Sequence, residues 1–147
     1  MCPDGSTDTT SQNGAGIAAR LRVVVVDDEP DTVMTLLALL RDQGYEAEGY
    51  GSGRVALEAI AKSDPDVIVS DIGMPAPNGW DVARQVRAMK GAGPRPLMIA
   101  ITGQYTKSAD RVLAQIAGFD YFLTKPCDPQ VLMALIEKAR PDKKPGA

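Results

Sequence analysis

The sequence predicts an α/β fold in which five strands form one parallel sheet between two layers of helices. Runs of apolar, β-branched residues recur at 23–26, 67–69 and 97–101 without alternating polarity, which is typical of parallel strands buried on both faces. Amphipathic stretches with helical spacing separate these runs. Strict alternation of strand and helix implies right-handed crossovers, so all strands should end at the same edge of the sheet.

In chain order, 23–26 is the first predicted strand, and 46–50 is the second. Because 46–50 alternates in polarity, we expect it at an edge of the sheet. The runs 67–69 and 97–101 are the third and fourth strands, and the very short segment 121–123 is a second edge strand. The apolar faces of the five predicted helices contain Val33, Leu36, Leu37 and Leu40; Leu57, Ile60 and Ala61; Val82, Val86 and Met89; Val112, Leu113 and Ile116; and Leu132, Leu135, Ile136 and Ala139.

Local signals mark the ends of these helices. Gly44 and Gly118 are expected just past helix C-termini, where a left-handed backbone is common. Ser52 is a predicted N-cap for a helix at about 54–62. Asp128 is a second predicted N-cap, followed by a proline at the first helical position.

One domain accounts for the 147 residues, of which 44% are hydrophobic. We expect this domain at residues 20–140. Residues 1–19 are rich in Ser, Thr and Gly without apolar periodicity and are predicted to be a disordered leader. Residues 141–147 are predicted to be a flexible tail.

Composition excludes several classes of function. The net charge of −3 disfavours direct nucleic-acid binding. The absence of histidine excludes Ser-His-Asp catalysis, imidazole zinc sites and phosphohistidine on this chain. We find neither a signal peptide nor an apolar run of about 18 residues, and Cys2 and Cys127 have no disulfide or metal-binding spacing. These observations predict a cytoplasmic protein without a membrane association.

Polar residues follow the predicted strands at the edge where their carboxyl ends meet. Asp27 and Asp28 follow the first strand, Asp71 follows the third, Thr102 the fourth and Lys125 the fifth. Two like charges 4 Å apart repel by about 4 kcal/mol at an effective dielectric constant near 20. A divalent cation would relieve this repulsion, and carboxylate oxygens suit Mg²⁺. A carboxylate beside Mg²⁺ can act as a nucleophile toward a phosphoryl group, which predicts phosphoryl chemistry at this edge.

The sequence resembles the receiver domains of two-component response regulators over about 21–139. The motifs that carry the resemblance are Val-Val-Val-Asp27-Asp28-Glu29-Pro30, Ser70-Asp71-Ile72-Gly73-Met74-Pro75 with Gly79, Ile101-Thr102-Gly103, and Lys125-Pro126. The resemblance implies a flavodoxin-like sheet with strand order 2-1-3-4-5. It also implies a phosphorylation-activated switch rather than an enzyme acting on other molecules.

The roles of the site residues follow from this resemblance. Asp71 would accept a phosphoryl group from a sensor histidine kinase or a histidine phosphotransfer protein. Asp28, Asp71 and the Gly73 carbonyl would ligate Mg²⁺, and Asp27 would help through water. Lys125 would pair with the phosphoryl group. The Lys125-Pro126 bond is expected to be cis.

The resemblance also implies how the signal would leave the site. Thr102 would move toward the phosphoryl group, coupled to the aromatic ring of Phe122, which lacks the hydroxyl of the tyrosine found in many members. The output would be contact with a downstream protein, with phosphorylation-dependent homodimerisation as an option. Gly73 and Gln104 occupy the positions that tune dephosphorylation. Because Gly73 has no side chain to orient water, we expect a long-lived acyl phosphate.

Two alternative functions remain open from the sequence. Gly51, Gly53 and Ala56 match a dinucleotide-binding fingerprint after a strand, but that strand is polar, and the other strand-end residues would have no role. The second alternative is a receiver-like interaction module that acts without phosphorylation. Failure to take up phosphate would support it.

Overall fold

The computed structural model describes residues 20–75, 77–90, 96–103 and 118–140, with Thr102 described by its backbone alone. Five strands and four helices lie within these residues. They are β1 (Arg22–Val26), α1 (Pro30–Asp42), β2 (Glu46–Tyr50), α2 (Gly53–Ala61), β3 (Val67–Asp71), α3 (Gly79–Lys90), β4 (Leu97–Thr102), β5 (Tyr121–Thr124) and α4 (Pro129–Glu137). The predicted leader, the predicted tail and the helix predicted around Val112–Ile116 lie outside the described residues.

The strands form one sheet in the order β2-β1-β3-β4-β5, and every neighbouring pair is parallel. This confirms the predicted order 2-1-3-4-5 and the two predicted edge strands. The register pairs Asp71 with Ile101 and Thr102 with Thr124. The ends of β3, β4 and β5 are therefore adjacent at one edge of the sheet.

The core consists of two apolar clusters, one on each face of the sheet. Alternate residues of β1 contribute to different clusters: Val24 and Val26 to the cluster under α2 and α3, and Val23 and Val25 to the cluster under α1 and α4. Because both faces are covered, β1 contains only valine after Arg22.

Side-chain caps begin two helices as predicted. Ser52 Oγ accepts a hydrogen bond from the Val55 backbone N–H at 3.3 Å at the start of α2. Asp128 Oδ1 accepts one from the Gln130 N–H at 2.9 Å at the start of α4. Gly44, after α1, has a φ of 93°, which glycine adopts without strain.

Two residues of the predicted helix faces are exposed rather than buried. Met89 is 45% exposed because the buried stripe of α3 ends at Val86, one turn earlier. Ala61 is exposed, while Ala56 is fully buried. Ala56 and Ile60 lie four residues apart and define the buried line of α2, and Ala61 is rotated about 100° from it.

In the part of the chain that the structure describes, none of the helices combines the length and apolarity that crossing a membrane requires.

Candidate functional site

Three carboxylates meet at the carboxyl edge of the sheet, as predicted. Asp27 and Asp28 follow β1 directly, and Asp71 is the last residue of β3. One carboxylate oxygen from each lies within 4.8 Å of the other two. Asp27 and Asp71 are buried and Asp28 is exposed, so the cluster opens to solvent on the Asp28 side.

Backbone N–H groups orient the two buried carboxylates. Asp27 Oδ1 accepts a hydrogen bond from the Glu29 N–H at 2.9 Å, and Asp71 Oδ1 accepts one from the Gly73 N–H at 3.1 Å. Each donor lies two residues after its acceptor, so the loop that leaves each strand also orients the aspartate. The second oxygen, Oδ2, of each carboxylate contacts Lys125 instead.

Gly79 allows α3 to begin against the backbone of Asp71. A Cβ atom at Gly79 would lie 2.5 Å from the Asp71 carbonyl oxygen and 2.7 Å from Ile72 Cα. The Gly79 N–H donates to the Ile72 carbonyl at 3.3 Å. Since backbone atoms cannot move aside as a flexible side chain can, only glycine fits here.

Lys125 follows β5, and its ammonium group contacts the two buried carboxylates of the cluster and also Glu29. Nζ lies 2.9 Å from Asp27 Oδ2, 3.5 Å from Asp71 Oδ2 and 3.5 Å from Glu29 Oε1. The Lys125-Pro126 peptide bond is cis, as predicted. The contact with Glu29 was not predicted, although its position directly after Asp27 and Asp28 was a usable signal.

The surroundings disfavour the charged form of Asp27 and favour the charged form of Lys125. Burial raises the pKa of Asp27, and the charge of Asp71 raises it further, against the lowering effects of Lys125 and the Glu29 N–H. Burial by itself lowers the pKa of Lys125, but the hydrogen bond to Asp27 and the carboxylate charges outweigh it, so this pKa is raised. Lys125 therefore stays cationic, while the carboxylates remain crowded.

The crowding and the donor set fit a hard divalent cation. The cluster contains three carboxylates, and the lysine that contacts two of them offsets only one negative charge. Carboxylate and carbonyl oxygens are the ligands that Mg²⁺ prefers, and an exposed position such as that of Asp28 leaves room for water.

The other predicted site residues differ in how close they lie to this cluster. Thr102 ends β4, one residue beyond the register partner of Asp71. Phe122 on β5 pairs with Ala100 and packs, partly buried, against the core under α2 and α3. Gly73 is exposed beside Asp71. Gln104 lies outside the described residues.

Gly53 of the dinucleotide-binding fingerprint has a structural role, whereas Gly51 is exposed and a Cβ atom there would meet nothing within 4 Å. A Cβ atom at Gly53 would lie 2.5 Å from the Pro77 carbonyl oxygen and 2.9 Å from Val82 Cγ2. Gly53 is buried against the loop before α3 and against α3 itself, and Ser52 caps α2. Glycine is thus required at position 53 because α2 packs closely against α3 and the loop before it, and no nucleotide needs to be invoked.

Residues 23–137 match a known family model, which is described as the response regulator receiver domain. The chain belongs to the response regulator receiver domain family. Within the curated proteins, the DNA-binding response regulator MtrA of Mycolicibacterium smegmatis is 34% identical over 117 residues, which are 80% of this chain and 49% of MtrA. The chain thus spans about half the length of that relative.

Solved structures of receiver domains have the same fold. The chemotaxis protein CheY4 of Vibrio cholerae matches with a TM-score of 0.75 and 28% identity, covering 82% of this chain and 99% of CheY4. The receiver domain of the sensor histidine kinase PA1611 of Pseudomonas aeruginosa matches with a TM-score of 0.72 and 27% identity, covering 82% and 97%. That structure has a magnesium ion coordinated in its active-site cleft. This receiver domain accordingly functions in phosphorylation-based two-component signalling.

Proposed function

We propose that this receiver domain takes a phosphoryl group onto Asp71 from a phosphohistidine of a sensor kinase or a phosphotransfer protein. The observation that carries the proposal is the position of Asp71: its carboxylate is buried, lies beside two other carboxylates and has a lysine ammonium 3.5 Å from Oδ2. A nucleophile flanked by a cation site and a fixed cation is suited to phosphoryl transfer.

In the proposed reaction, an Asp71 carboxylate oxygen attacks phosphorus and the P–N bond to the donor imidazole breaks. The nitrogen keeps the electron pair and takes up a proton, and an acyl phosphate remains on Asp71. Lys125 stays cationic and pairs with the phosphoryl oxygens. Asp28, Asp71 and the Gly73 carbonyl, with Asp27 helping through water, would hold Mg²⁺, which would neutralise phosphoryl charge when bound. The magnesium ion in the active-site cleft of the PA1611 receiver supports the binding of Mg²⁺ at this edge of the sheet.

The acyl phosphate would switch the domain between two states close in free energy. Thr102 would move toward the phosphoryl group, and Phe122, two residues from the Thr102 partner on β5, would follow. The output would be contact with a downstream protein, including a second copy of this chain, in the cytoplasm. We infer no direct DNA contact by this domain, since the match to MtrA covers only about half of that DNA-binding protein and the net charge here is −3.

The domain would catalyse its own phosphorylation, and its own dephosphorylation would be slow. Gly73 is exposed beside Asp71 and offers no side chain to orient an attacking water. Gln104 would compensate in part. A half-life of seconds for the isolated phosphoprotein in Mg²⁺ would contradict this part of the proposal.

Acetyl phosphate and Mg²⁺ test the proposal directly. Mass spectrometry should find one added phosphoryl group on the wild-type protein, none on Asp71→Asn, and one on the matched control Asp64→Asn, whose side chain is 92% exposed and pairs with Lys90. Chelation of Mg²⁺ should abolish labelling. Labelling without Mg²⁺ or on another residue would refute the mechanism, and no labelling at all would favour the phosphorylation-independent interaction module.

A further inference from the structure

Lys125 is shared by three carboxylates, and the proposed reaction leaves one of them without a role. Asp27 and Asp71 hold the ammonium group from inside the site, where their side chains are 4% and 10% exposed. Glu29 holds it from outside, with a side chain that is 67% exposed. The distances from Nζ to Asp71 Oδ2 and to Glu29 Oε1 are both 3.5 Å, so Glu29 competes with the phosphoacceptor for the same cation.

Glu29 is anchored in this position by α1. Thr32 Oγ1, in the first turn of the helix, donates to Glu29 Oε1 at 3.2 Å, and this is the oxygen that contacts Lys125. The Glu29 N–H donates to Asp27 Oδ1, which fixes its backbone. The carboxylate is therefore held between the helix and the lysine, although solvent surrounds most of it.

We infer that Glu29 is a positioning residue that restrains Lys125 before phosphoryl transfer. The inference rests on the proposed function. The arriving phosphoryl group adds negative charge at Asp71, and Lys125 has to leave Glu29 to pair with it. The contact with Glu29 stabilises only the unphosphorylated arrangement, so it slows phosphoryl uptake. The sequence Asp27-Asp28-Glu29 thus combines residues that promote the reaction with one that restrains it.

Three single variants separate the position of the Glu29 carboxylate from its charge. Glu29→Gln removes the charge. Glu29→Asp keeps the charge but shortens the side chain, so the carboxylate no longer reaches the lysine. Thr32→Val keeps the carboxylate intact and removes only its anchor. Under single-turnover conditions with acetyl phosphate and Mg²⁺, each should accelerate labelling of Asp71 by about two- to fivefold, as expected for loss of one exposed ion pair.

Two further measurements sharpen the test. The double variant Glu29→Gln with Thr32→Val should be no faster than Glu29→Gln alone, because both act through the same contact. In Thr32→Val the maximal rate of Asp71 labelling should rise. The Mg²⁺ concentration that gives half of the maximal labelling rate should stay unchanged. Glu58→Gln is the matched control, since Glu58 is exposed on α2 and pairs only with Arg54 among the contacts described; its rate should equal that of the wild type.

Acceleration confined to Glu29→Gln would mean that only the charge matters, and this would overturn the inference. Slower or unchanged labelling in all three variants would overturn it too. Failure of the proposed function is distinguishable, because the wild-type protein itself would then show no Mg²⁺-dependent label on Asp71.

Discussion

At the amino edge of the sheet, Asp66 and Asp120 each lie one residue before a strand and accept a backbone N–H from a neighbouring strand, at 2.8 Å from Arg22 and 2.8 Å from Met98. At the carboxyl edge, among the described residues, the backbone N–H groups that Asp27 and Asp71 accept come from their own loops, and both carboxylates contact Lys125. Acidic residues at the amino edge join strands together. Those at the carboxyl edge remain available for chemistry.

The same contrast extends to the other charged groups. Asp120 also pairs with Arg87 at 2.9 Å, and Arg87 donates to the Gly118 carbonyl. At the carboxyl edge, one lysine serves three carboxylates. We therefore expect stability to depend mainly on the amino edge and the proposed phosphoryl chemistry on the carboxyl edge, because satisfied carboxylates stabilise a fold and crowded ones suit a bound cation.

The largest expected effect comes from adding one methyl group at the carboxyl edge. In Gly79→Ala, the Cβ atom would push on the Asp71 carbonyl and Ile72 Cα. We expect phosphoryl uptake from acetyl phosphate to fall about 10- to 100-fold, since small displacements of a reacting group are costly. The free energy of unfolding, measured with urea, should fall by about 1–3 kcal/mol.

Gly51→Ala is the matched control for this prediction. Gly51 is exposed, and a Cβ atom there would meet nothing within 4 Å. Its labelling rate should match the wild type. A normal rate in Gly79→Ala would show that the close approach of α3 does not position Asp71.

The second prediction concerns pH and Tyr45, which precedes β2 at the amino edge. Burial and the hydrogen bond to Glu137 raise the pKa of Tyr45 to about 12. The folded state therefore favours the neutral phenol. Because the pKa rises from 10.0 to about 12, this contribution is about 3 kcal/mol. It is fully present below pH 10 and is lost as the pH rises through about 12. Urea titrations at several pH values should show this loss in the wild type and not in Tyr45→Phe.

Tyr50, at the carboxyl end of β2, sharpens the comparison. Burial and Glu48 also raise the pKa of Tyr50, but Tyr50 is more exposed than Tyr45. The wild type loses unfolding free energy at alkaline pH, and Tyr50→Phe should therefore reduce that loss by less than Tyr45→Phe does. Equal losses in both variants would contradict the assignment to Tyr45.

The third prediction separates stability from chemistry at the amino edge. Asp66→Ala leaves the Arg22 N–H without its carboxylate partner, and Asp66 is only 9% exposed. The free energy of unfolding should fall by about 1–3 kcal/mol, while the labelling rate of the folded protein stays normal. Asp64→Ala, which removes only a surface ion pair with Lys90, should cost less than about 1 kcal/mol. A labelling defect in Asp66→Ala would show that the two edges are coupled.

Most of the fold was predictable because its signals are local. An all-valine run after Arg22 indicates a buried strand, and Ser52 and Asp128 each mark a helix start by a hydrogen bond to a residue two or three positions away. The exposure of Met89 was not predictable in this way. Helical periodicity shows which face is apolar, but it does not show where the sheet beneath that face ends.

By itself, the sequence determined the alternation of strands and helices, the apolar character of both sheet faces and the chemical types of the residues after each strand. Only the tertiary structure decided that Lys125 contacts Glu29 as well as Asp27 and Asp71, and that Gly79 lies against the Asp71 backbone. The physical reason is range. Hydrophobic periodicity and capping act between near neighbours in the chain, whereas Lys125 and Glu29 meet only through the crossovers of the parallel sheet. The contact of Gly79 with Asp71 depends on the path of the loop between β3 and α3, which periodicity does not predict.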